Sequence, residues 1–471
     1  MAGFEITNLY LYKWRYIIGY AAIGIVLIGL LLIAGLLLPG GISANEQLAV
    51  IRSDSLTFKD FNSFAIVNLP YYALQALSIN LFGVHDFSIK LPSLILGLLS
   101  AIGLIFLLSR WFRRNIAILA SFIAITTGQF LFISQSGTAS ILYVFWPVML
   151  LLLGVLISRA DKYVFTWKVL FFIAAALSLY TPLSIYPLVA MVLAGFLHPH
   201  LRNIIRRLSK TRLVLAIIVG FIIISPLLYG MFTNPSLALT LLGVPAKFPD
   251  FIANIVTVGK QYLDFWKPST TVLMTPVFGL GSMLLIAYGA YRVIRTSDTT
   301  QSYLIIAWLV CLVPILIINP GFTSVIFTPL VLLLTIGLQS LVRYWYRLFP
   351  KNPYARIAGL IPLMLLVLAL VSSGLDRYVY GYYYQPQTAQ NFNKDLQILP
   401  KNTSQLVVTQ GELAFYQVVA HHSKTLTIVT IPTSPTFTAT RLAHVQFPST
   451  AIGRIITSSE QADSDRFYVY K

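Results

Sequence analysis

Long apolar runs separated by short polar segments make up most of the chain. A membrane-spanning helix needs about 20 predominantly apolar residues, and eleven segments approach or exceed this length. The pattern therefore predicts an α-helical polytopic membrane protein with about eleven transmembrane helices. The predicted spans are 16–38, 88–109, 115–133, 140–158, 166–180, 182–197, 212–231, 272–294, 303–319, 322–342 and 357–375.

Three of these spans allow more than one interpretation. The spans 166–180 and 182–197 are short and are separated by Pro182, so a tight outside hairpin and a re-entrant pair both remain open. The first span, 16–38, is longer than the apolar region of a signal peptide, which usually has about 7–15 residues. We interpret it as a retained anchor, with cleavage near Gly41–Ala44 as the alternative.

Two segments between the spans are longer than a turn. Segment 39–87 contains two stretches with helical periodicity, Glu46–Arg52 and Tyr71–Phe82. The second stretch is apolar enough to lie in a membrane interface. Segment 232–271 is the other long connection. Both are predicted to be loops on the outer side of the membrane, and they belong to the transmembrane domain that we assign to residues 1–375.

The segment 376–471 differs in composition from the rest of the chain. It alternates β-rich and helical patterns, which is typical of a small α/β domain. We therefore predict a separate C-terminal α/β domain. Its predicted elements are strands at 406–410, 425–431 and 467–471 and a helix at 412–422.

Charge places the protein in a membrane. Only 10% of its residues are charged, whereas soluble domains carry about 25%, so a soluble cytosolic enzyme is excluded. The net charge of +18 does not require nucleic acid, because most lysines and arginines flank the spans. With a cytoplasmic N-terminus, the inner loops hold roughly three times as many of them as the outer segments. We predict a multi-pass cell-membrane protein with an extracytoplasmic C-terminal domain, in contact with membrane lipid.

One stretch of the chain carries a family resemblance. Segment 68–99 resembles the corresponding stretch of polytopic GT-C glycosyltransferases of the protein-mannosyltransferase and aminoarabinose-transferase type. The layout of first span, long outside loop, multi-span body and soluble C-terminal domain is similar too. The matching residues are Pro70, Tyr71, Tyr72, Leu81, Phe82, Gly83, Val84, Phe87, Ser88, Lys90, Leu91, Pro92 and Ser93.

The resemblance implies a glycosyltransferase that uses a lipid-phosphate sugar, such as a polyprenyl-phosphate sugar, on the outer face of the membrane. The acceptor would be a lipid, a glycan or a protein. Transfer would be a single displacement at the anomeric carbon with inversion. It needs a carboxylate as general base and positive charge or a metal at the leaving phosphate. No cofactor is predicted with certainty, and a divalent metal with unknown ligands is left open.

Glu46 is the first candidate for the base. The resemblance implies acidic residues soon after the first span, and in this sequence Glu46 stands there. The alternative is a glutamate in the first turn of a helix that follows an Asn45 or Ser43 N-cap. The catalytic interpretation requires the carboxylate to lie close to the membrane surface, where it would reach a lipid-borne substrate.

The chain departs from the family pattern at three places. Asn45 stands where many relatives have Asp, and the turn 134–140, which ends at Ser140, has no carboxylate. The residues ahead of Pro70 also lack the acidic–basic pair of many relatives. These departures make other carboxylates of the outside loop candidates, first Asp54, the second candidate catalytic residue, and then Asp60.

The resemblance also suggests residues for substrate binding. Lys90 occupies the family's Arg position at the outer end of the second span, where it would contact a phosphate or anchor at lipid headgroups. Lys260 and Lys267 lie in the second outside segment and are candidates for holding the donor phosphate. Tyr71 and Tyr72 complete the predicted set.

Two histidine-containing pairs are interpreted as structural. His85 and Asp86 are adjacent, and adjacent side chains rarely face one another. His421 and His422 end a predicted helix, where the helix dipole favours them. The single cysteine, Cys311, excludes an internal disulfide and cysteine-rich metal sites.

Two other functions compete with the glycosyltransferase hypothesis. A non-catalytic membrane protein that kept the fold and lost the site would account for the missing carboxylates. A transporter of lipid-linked substrates is the third hypothesis. Transporters often carry ionisable groups within their spans and inverted repeats, and this sequence shows few of the former and no evident repeat.

Overall fold

The computed structural model of the protein is a helical bundle with a small β-sheet at its C-terminal end. It describes residues 21, 24–25, 27–33, 41–56, 64–159, 163–207, 209–245, 247, 249–265, 276–297, 299–348, 354, 358–381, 390–423, 426–447, 451–458 and 464–470.

Most of the described residues are helical. The helices before the C-terminal segment are α1 (Ala44–Asp54), α2 (Leu69–Phe82), α3 (Asp86–Trp111), α4 (Arg114–Ile125), α5 (Gly128–Gln135), α6 (Leu142–Arg159), α7 (Val164–Ser178), α8 (Ile185–Leu197), α9 (Pro199–Arg207), α10 (Lys210–Thr233), α11 (Pro235–Leu242), α12 (Phe251–Leu263), α13 (Leu280–Arg295), α14 (Thr300–Ile318), α15 (Phe327–Leu348) and α16 (Leu360–Val379).

The predicted fold class is confirmed, but the count of eleven spans is not. Among the described residues, six helical segments are long and apolar enough to cross a membrane, or eight if the bent pairs α4–α5 and α8–α9 each form one span. α7 is apolar but only 15 residues long. Three predicted spans, 16–38, 272–294 and 357–375, lie partly outside the described residues. The six segments are Asp86–Trp111, Ala139–Ser158, Lys210–Thr233, Thr300–Ile318, Thr323–Leu348 and Ile361–Val379.

The helices differ in how far they are enclosed. In the most apolar 18-residue stretch of each helix, 72% of the residues of segment 323–348 and 61% of those of α3 are buried, but only 22% of those of α10. α13 and α15 approach closely at two glycines: a Cβ added to Gly289 would lie 1.9 Å from the carbonyl oxygen of Leu333, and one added to Gly337 would lie 2.1 Å from that of Leu285. Small residues of this kind allow helix backbones to come together in membranes.

The bend of 64° between α4 and α5 has a local cause. The hydroxyls of Thr126 and Thr127 bond to carbonyl oxygens of the preceding turn, and the Thr127 side chain then caps α5 at the Phe130 N–H. α16 packs against this break, where a Cβ on Gly374 would lie 2.4 Å from the Thr126 carbonyl oxygen. The bend sets the direction of α5, which ends at the turn 136–138.

Among the described residues of segment 39–87, which is predicted to lie outside, two helices have clear boundaries. α1 begins at Ala44, directly after Ser43, whose side chain caps it, and ends at Asp54. α2 follows Asn68, which has a left-handed backbone with φ of 60°, and ends at Gly83 with φ of 77°. Glycine takes such values readily. The predicted stretches Glu46–Arg52 and Tyr71–Phe82 thus lie within α1 and α2.

The C-terminal segment forms a five-stranded mixed sheet with the order β4–β3–β5–β7–β6. β3 pairs in parallel with β4 and β5, and β7 is antiparallel to β5 and β6. The strands are β3 (Gln405–Val407), β4 (Thr427–Val429), β5 (Phe437–Thr440), β6 (Ile452–Thr457) and β7 (Asp465–Tyr470), and the helices are α17 (Asp395–Ile398), α18 (Leu413–His421) and α19 (Arg441–His444).

The sheet region shares its core with the outside helices. A two-residue strand before α1, β1 (Ile42–Ser43), pairs with β2 (Phe392–Asn393). Ile42, Val50 and Ile79 of the outside segment belong to one buried cluster with Leu406 and Phe415 of the C-terminal segment. The C-terminal segment is therefore docked on α1 and α2. The boundary at residue 375 stays a prediction, and α16 extends past it to Val379.

Candidate functional site

Glu46 lies at the centre of the contacts between α1 and the membrane bundle. Its Oε2 accepts hydrogen bonds from the Ser43 backbone N–H at 2.6 Å and from the Ser43 hydroxyl at 2.9 Å, and the Ser43 Oγ accepts from the Glu46 N–H at 3.3 Å. This is a capping box, in which the cap and the third helical residue satisfy each other's backbone N–H groups. The structure therefore contains the Ser43 N-cap that was one of the alternatives from the sequence.

The other carboxylate oxygen reaches a distant turn. Glu46 Oε1 accepts from the Gly137 N–H at 2.5 Å. Gly137 lies in the turn between α5 and α6, where the resemblance implies an acidic residue and this sequence has none. The turn thus receives a carboxylate from α1. With three donors, the Glu46 side chain is only 1% exposed.

The same turn is held by neighbouring polar side chains. Gln75 donates from Nε2 to the carbonyl oxygens of Gly137 at 3.0 Å and Ile89 at 3.1 Å, and its Oε1 accepts from the Ser53 hydroxyl at 2.6 Å. Gln75 is fully buried. Buried polar networks that are satisfied in this way fix a single arrangement. Sequence reasoning missed Gln75, which stands on an apolar helix and has no motif around it.

Tyr71 and Tyr72 face different surroundings. The Tyr71 hydroxyl is buried within 2.8 Å of the Ser93 hydroxyl. Burial raises the pKa of the Tyr71 phenol well above its usual range, so this group stays protonated. The Tyr72 hydroxyl accepts from the Arg52 guanidinium at 3.3 Å. Arg52 is exposed on α1 and was not singled out from the sequence.

Lys90 is enclosed rather than open to solvent. Only 1% of the residue is exposed. It interacts electrostatically with Asp86, one helical turn earlier. Asp86 in turn accepts a hydrogen bond from Gln397 of the C-terminal segment. The predicted phosphate contact of Lys90 stays a prediction.

The second outside segment brings Lys260 to the surface. α12 is anchored to the loop after α14 by the side chains of Asn254, Gln261 and Tyr262, which donate to the carbonyl oxygens of Ile318, Pro320 and Thr323. Lys260, in the last turn of α12, is exposed. Its predicted partner Lys267 lies outside the described residues.

Asp54 contacts two histidines of the C-terminal segment. Its Oδ1 lies 3.2 Å from Nδ1 of His421 and 3.0 Å from Nε2 of His422. The sequence suggested that the two histidines only end a helix. They do end α18, but they also contact α1, and their rings lie 4.9 Å apart. Because the partners are separated by 367 and 368 positions, no local pattern joins them.

The predicted residues thus divide into groups. Glu46, Tyr71 and Lys90 are enclosed where α1, α2, α3 and the turn 136–138 meet. Arg52 and Tyr72 lie beside them, nearer the surface. Asp54 lies at the other end of α1, and its carboxylate faces the C-terminal segment. Lys260 belongs to a different element, α12.

Comparison with known proteins shows which proteins this chain resembles. Residues 69–229 match the family model of dolichyl-phosphate-mannose-protein mannosyltransferases, which covers about a third of the chain. ArnT from Cupriavidus metallidurans, solved bound to undecaprenyl phosphate, superposes with a TM-score of 0.54 at 12% identity, covering 97% of this chain and 98% of that chain. The chain has the fold of the GT-C superfamily of membrane glycosyltransferases.

A second GT-C-fold protein is similar over most of this chain. The oligosaccharyltransferase AglB from Archaeoglobus fulgidus, in complex with an inhibitory peptide and a dolichol-phosphate, superposes with a TM-score of 0.52 at 14% identity. The match covers 88% of this chain and 64% of AglB. No curated protein matches the sequence. The predicted GT-C resemblance and multi-pass membrane character are confirmed.

Proposed function

We propose that this protein is a membrane glycosyltransferase that moves a sugar from a polyprenyl-phosphate donor to a lipid, glycan or protein acceptor at the outer face of the membrane. The proposal rests on one observation within the GT-C fold: the carboxylate of Glu46 bonds the turn 136–138 to α1. ArnT and AglB, with which the fold is shared, were solved with undecaprenyl phosphate and a dolichol-phosphate, which supports the class of donor.

The reaction is a single displacement. The acceptor hydroxyl oxygen attacks the anomeric carbon, the bond from that carbon to the phosphate oxygen breaks, and the polyprenyl phosphate leaves with the electron pair. The acceptor proton passes to a carboxylate, which we assign to Glu46. General-base catalysis of this kind contributes about 10²–10⁴-fold, and a cation near the leaving phosphate stabilises its developing charge.

Glu46 needs a change at the turn before it acts as a base. A base must come within hydrogen-bond reach of the proton that it accepts, and Oε1 is occupied by the Gly137 N–H. Release of this bond frees Oε1, while Ser43 continues to hold Oε2. We therefore propose that substrate binding displaces the turn 136–138. Asp54 is the second candidate, although its carboxylate faces His421 and His422.

Cations near the site are candidates for the phosphate. Arg52 is exposed beside Tyr72 on the same helix as Glu46, so we add it to Lys90, Lys260 and Lys267. Guanidinium groups bind phosphate oxygens in a bidentate manner. Tyr72, whose hydroxyl already accepts from Arg52, would position this guanidinium. In this proposal the N-terminus is cytoplasmic and residues 376–471 are extracytoplasmic.

The proposal is tested by transfer of labelled sugar from a polyprenyl-phosphate donor pool in membranes that contain the protein. Glu46→Gln is the main variant, and Asp54→Asn tests the second carboxylate. Ser43→Ala is the matched control, because it removes a hydroxyl donor from Glu46 and leaves the carboxylate in place. We expect Glu46→Gln to reduce transfer at least about 100-fold and Ser43→Ala to reduce it far less, at equal amounts of inserted protein.

Each outcome of this experiment points to one assignment. Loss of transfer in both Glu46→Gln and Ser43→Ala, in equal measure, would mean that Glu46 acts only by capping α1. Transfer that survives in Glu46→Gln and is lost in Asp54→Asn would move the base to Asp54. Absence of transfer by the unchanged protein from every donor in the pool would overturn the proposal.

A second candidate function has an observation in its favour. The Glu46 carboxylate is 1% exposed and is held by three donors, which also suits a purely structural group. Such a chain would be a GT-C-fold membrane protein without transferase activity. It would still bind a polyprenyl phosphate or its acceptor, so binding of undecaprenyl phosphate without turnover would support this alternative.

A further inference from the structure

Three side chains that commonly bind transition metals converge between α1 and α18. Asp54 Oδ1, His421 Nδ1 and His422 Nε2 all lie within 4.8 Å of one another. The two distances from the carboxylate oxygen to the ring nitrogens are 3.2 and 3.0 Å. The set draws on two elements that are far apart in the sequence, so chain proximity alone does not explain the convergence.

The spacing of these atoms suits a tetrahedral ion. Zinc takes histidine nitrogens and carboxylate oxygens at about 2.0–2.2 Å, and in tetrahedral geometry such ligands are about 3.3 Å apart. Both oxygen–nitrogen distances are close to this value. Two nitrogens and one oxygen also form a three-ligand set of the kind that leaves a fourth position for water. Nitrogen ligands favour zinc and its neighbours over magnesium and calcium.

The local backbone allows adjacent histidines to converge. His421 is the last residue of α18 and His422 is its C-cap, with φ of −95° and ψ of 0°. His421 uses Nδ1, which is nearer to its backbone, and His422 uses Nε2, which is farther from it. Both nitrogens therefore contact the same oxygen, Oδ1 of Asp54. Within a longer helix, consecutive side chains would point about 100° apart.

The position is open on one side. The side chain of His421 is 70% exposed, whereas those of Asp54 and His422 are 22% and 14% exposed. An ion therefore has an entry path and room for a water ligand on the His421 side. The buried cluster that contains Val50 and Val418 already holds α1 and α18 together, so the two helices do not need the ion in order to meet.

We infer that Asp54, His421 and His422 form a binding site for a divalent transition metal of the zinc class, which links the outside helix α1 to the C-terminal domain. The ion would connect one end of α1 to the C-terminal domain, and the β1–β2 pair connects the two at the other end of α1. It fixes the orientation of the helix that carries Glu46. The inference concerns metal binding and does not depend on the proposed transferase activity.

The test is metal binding by the purified full-length protein in detergent, produced without a polyhistidine tag and stripped with a chelator. Zinc is added, unbound metal is removed by gel filtration, and the bound metal is counted by mass spectrometry. Cobalt serves as a second probe, because its visible absorption reports tetrahedral nitrogen and oxygen ligands. We expect one ion per chain and an affinity in the micromolar range or tighter.

The variants separate a built site from adventitious binding. His421→Gln changes a side chain that is 70% exposed. We expect it to weaken zinc binding at least about tenfold, as should His422→Gln and Asp54→Asn. His444→Gln is the matched control, because His444 lies in the same domain and stacks on Tyr468 instead. Zinc should raise the unfolding temperature of the unchanged protein and of His444→Gln only.

Two results would overturn the inference. One is the absence of zinc and cobalt binding by the unchanged protein at micromolar metal. The other is equal binding by the unchanged protein and by the His421→Gln and His422→Gln variants. In either case, the three side chains would form only a pair of hydrogen bonds, with Asp54 as the shared acceptor.

Discussion

At the scale of single residues, Glu46 shows how one side chain serves two neighbours. Its Oε2 completes the cap of α1, and its Oε1 holds the turn 136–138. Hydrogen bonds that involve an ionised group are worth about 1.5–3 kcal/mol each. A carboxylate bound in this way stabilises the fold whether or not it reacts, so activity and stability must be measured together for every substitution at this position.

Gly137 provides the sharpest test of the turn. A Cβ added there would lie 2.7 Å from Cγ2 of Ile89 and 3.3 Å from Oε1 of Glu46. We expect Gly137→Ala to displace the turn, weaken the bond to Glu46 and destabilise the protein by about 1–3 kcal/mol. Thermal unfolding in detergent measures this. Gly259→Ala is the control, because its added Cβ meets nothing within 4 Å. Equal unfolding temperatures for the two variants would contradict the geometry of the turn.

Sequence reasoning reached Glu46 but not its environment. The position after the first span and the cap pattern at Ser43 are local features, so both could be seen in the sequence. The bond to Gly137 joins residues 91 positions apart, and Asp54 and His422 are separated by 368 positions. Such contacts depend on how the helices pack, and that packing leaves no signature in the local sequence.

At the scale of elements, the helices were predicted better than the strands. Long apolar runs identify helices such as α3 and α10 because a membrane imposes a minimum length. β5 and β6 were missed. β5 has only four residues, Phe-Thr-Ala-Thr, and this alternation is too short to identify a strand; it would also indicate one exposed face, although all four residues are buried. Its place between β3 and β7 comes from pairing across the sheet.

The contact between α13 and α15 predicts the effect of a small substitution. Gly289→Ala would place a Cβ 1.9 Å from the Leu333 carbonyl oxygen. This oxygen belongs to the backbone of α15, which cannot move aside as the end of a flexible side chain can. We expect the two helices to separate and the unfolding temperature in detergent to fall, with a loss of about 1–3 kcal/mol. Gly29→Ala should have almost no effect, because its Cβ meets nothing within 4 Å. An unchanged unfolding temperature for Gly289→Ala would refute the close approach.

An ion pair joins helix α17 to strand β7 of the sheet, and its removal should destabilise the C-terminal domain. Arg466 binds Asp395 through Nε at 2.6 Å and through Nη2 at 2.8 Å, and this hydrogen bonding raises the pKa of the Arg466 guanidinium. Asp395 is buried and also accepts from the Tyr416 hydroxyl. We expect Arg466→Met to destabilise the C-terminal domain by about 3 kcal/mol, because a buried carboxylate loses its partner. Protease sensitivity of residues 390–470 measures this.

The paired substitution provides the control for that ion pair. Asp395→Asn combined with Arg466→Met removes both charges, so it should cost less than the sum of the two single variants. If the costs simply add, the two groups do not interact, and the bidentate geometry would be wrong.

At the scale of the whole molecule, the C-terminal domain and the outside loop act as one unit. They share the cluster that includes Val50 and Phe415, the β1–β2 pair and the contacts of Asp54 and Asp86. Changes in the C-terminal domain should therefore reach α1, which carries both Glu46 and Asp54.

The orientation of this unit is the last prediction. If the N-terminus is cytoplasmic, exposed positions at Ser55 and Lys401 lie outside and those at Asn115 and Ser209 lie inside. In a Cys311→Ala background, a single cysteine at Ser55 or Lys401 should react with a membrane-impermeant maleimide in sealed right-side-out vesicles, because it faces the external buffer. A cysteine at Asn115 or Ser209 should react only after detergent is added. The reverse pattern would place Glu46 on the cytoplasmic face, where the proposed lipid-linked donor would have to be used from the opposite side of the membrane. Labelling of all four positions before detergent would mean that the vesicles leak. The assay is therefore interpreted only with vesicles in which one of the two pairs of positions stays unlabelled until detergent is added.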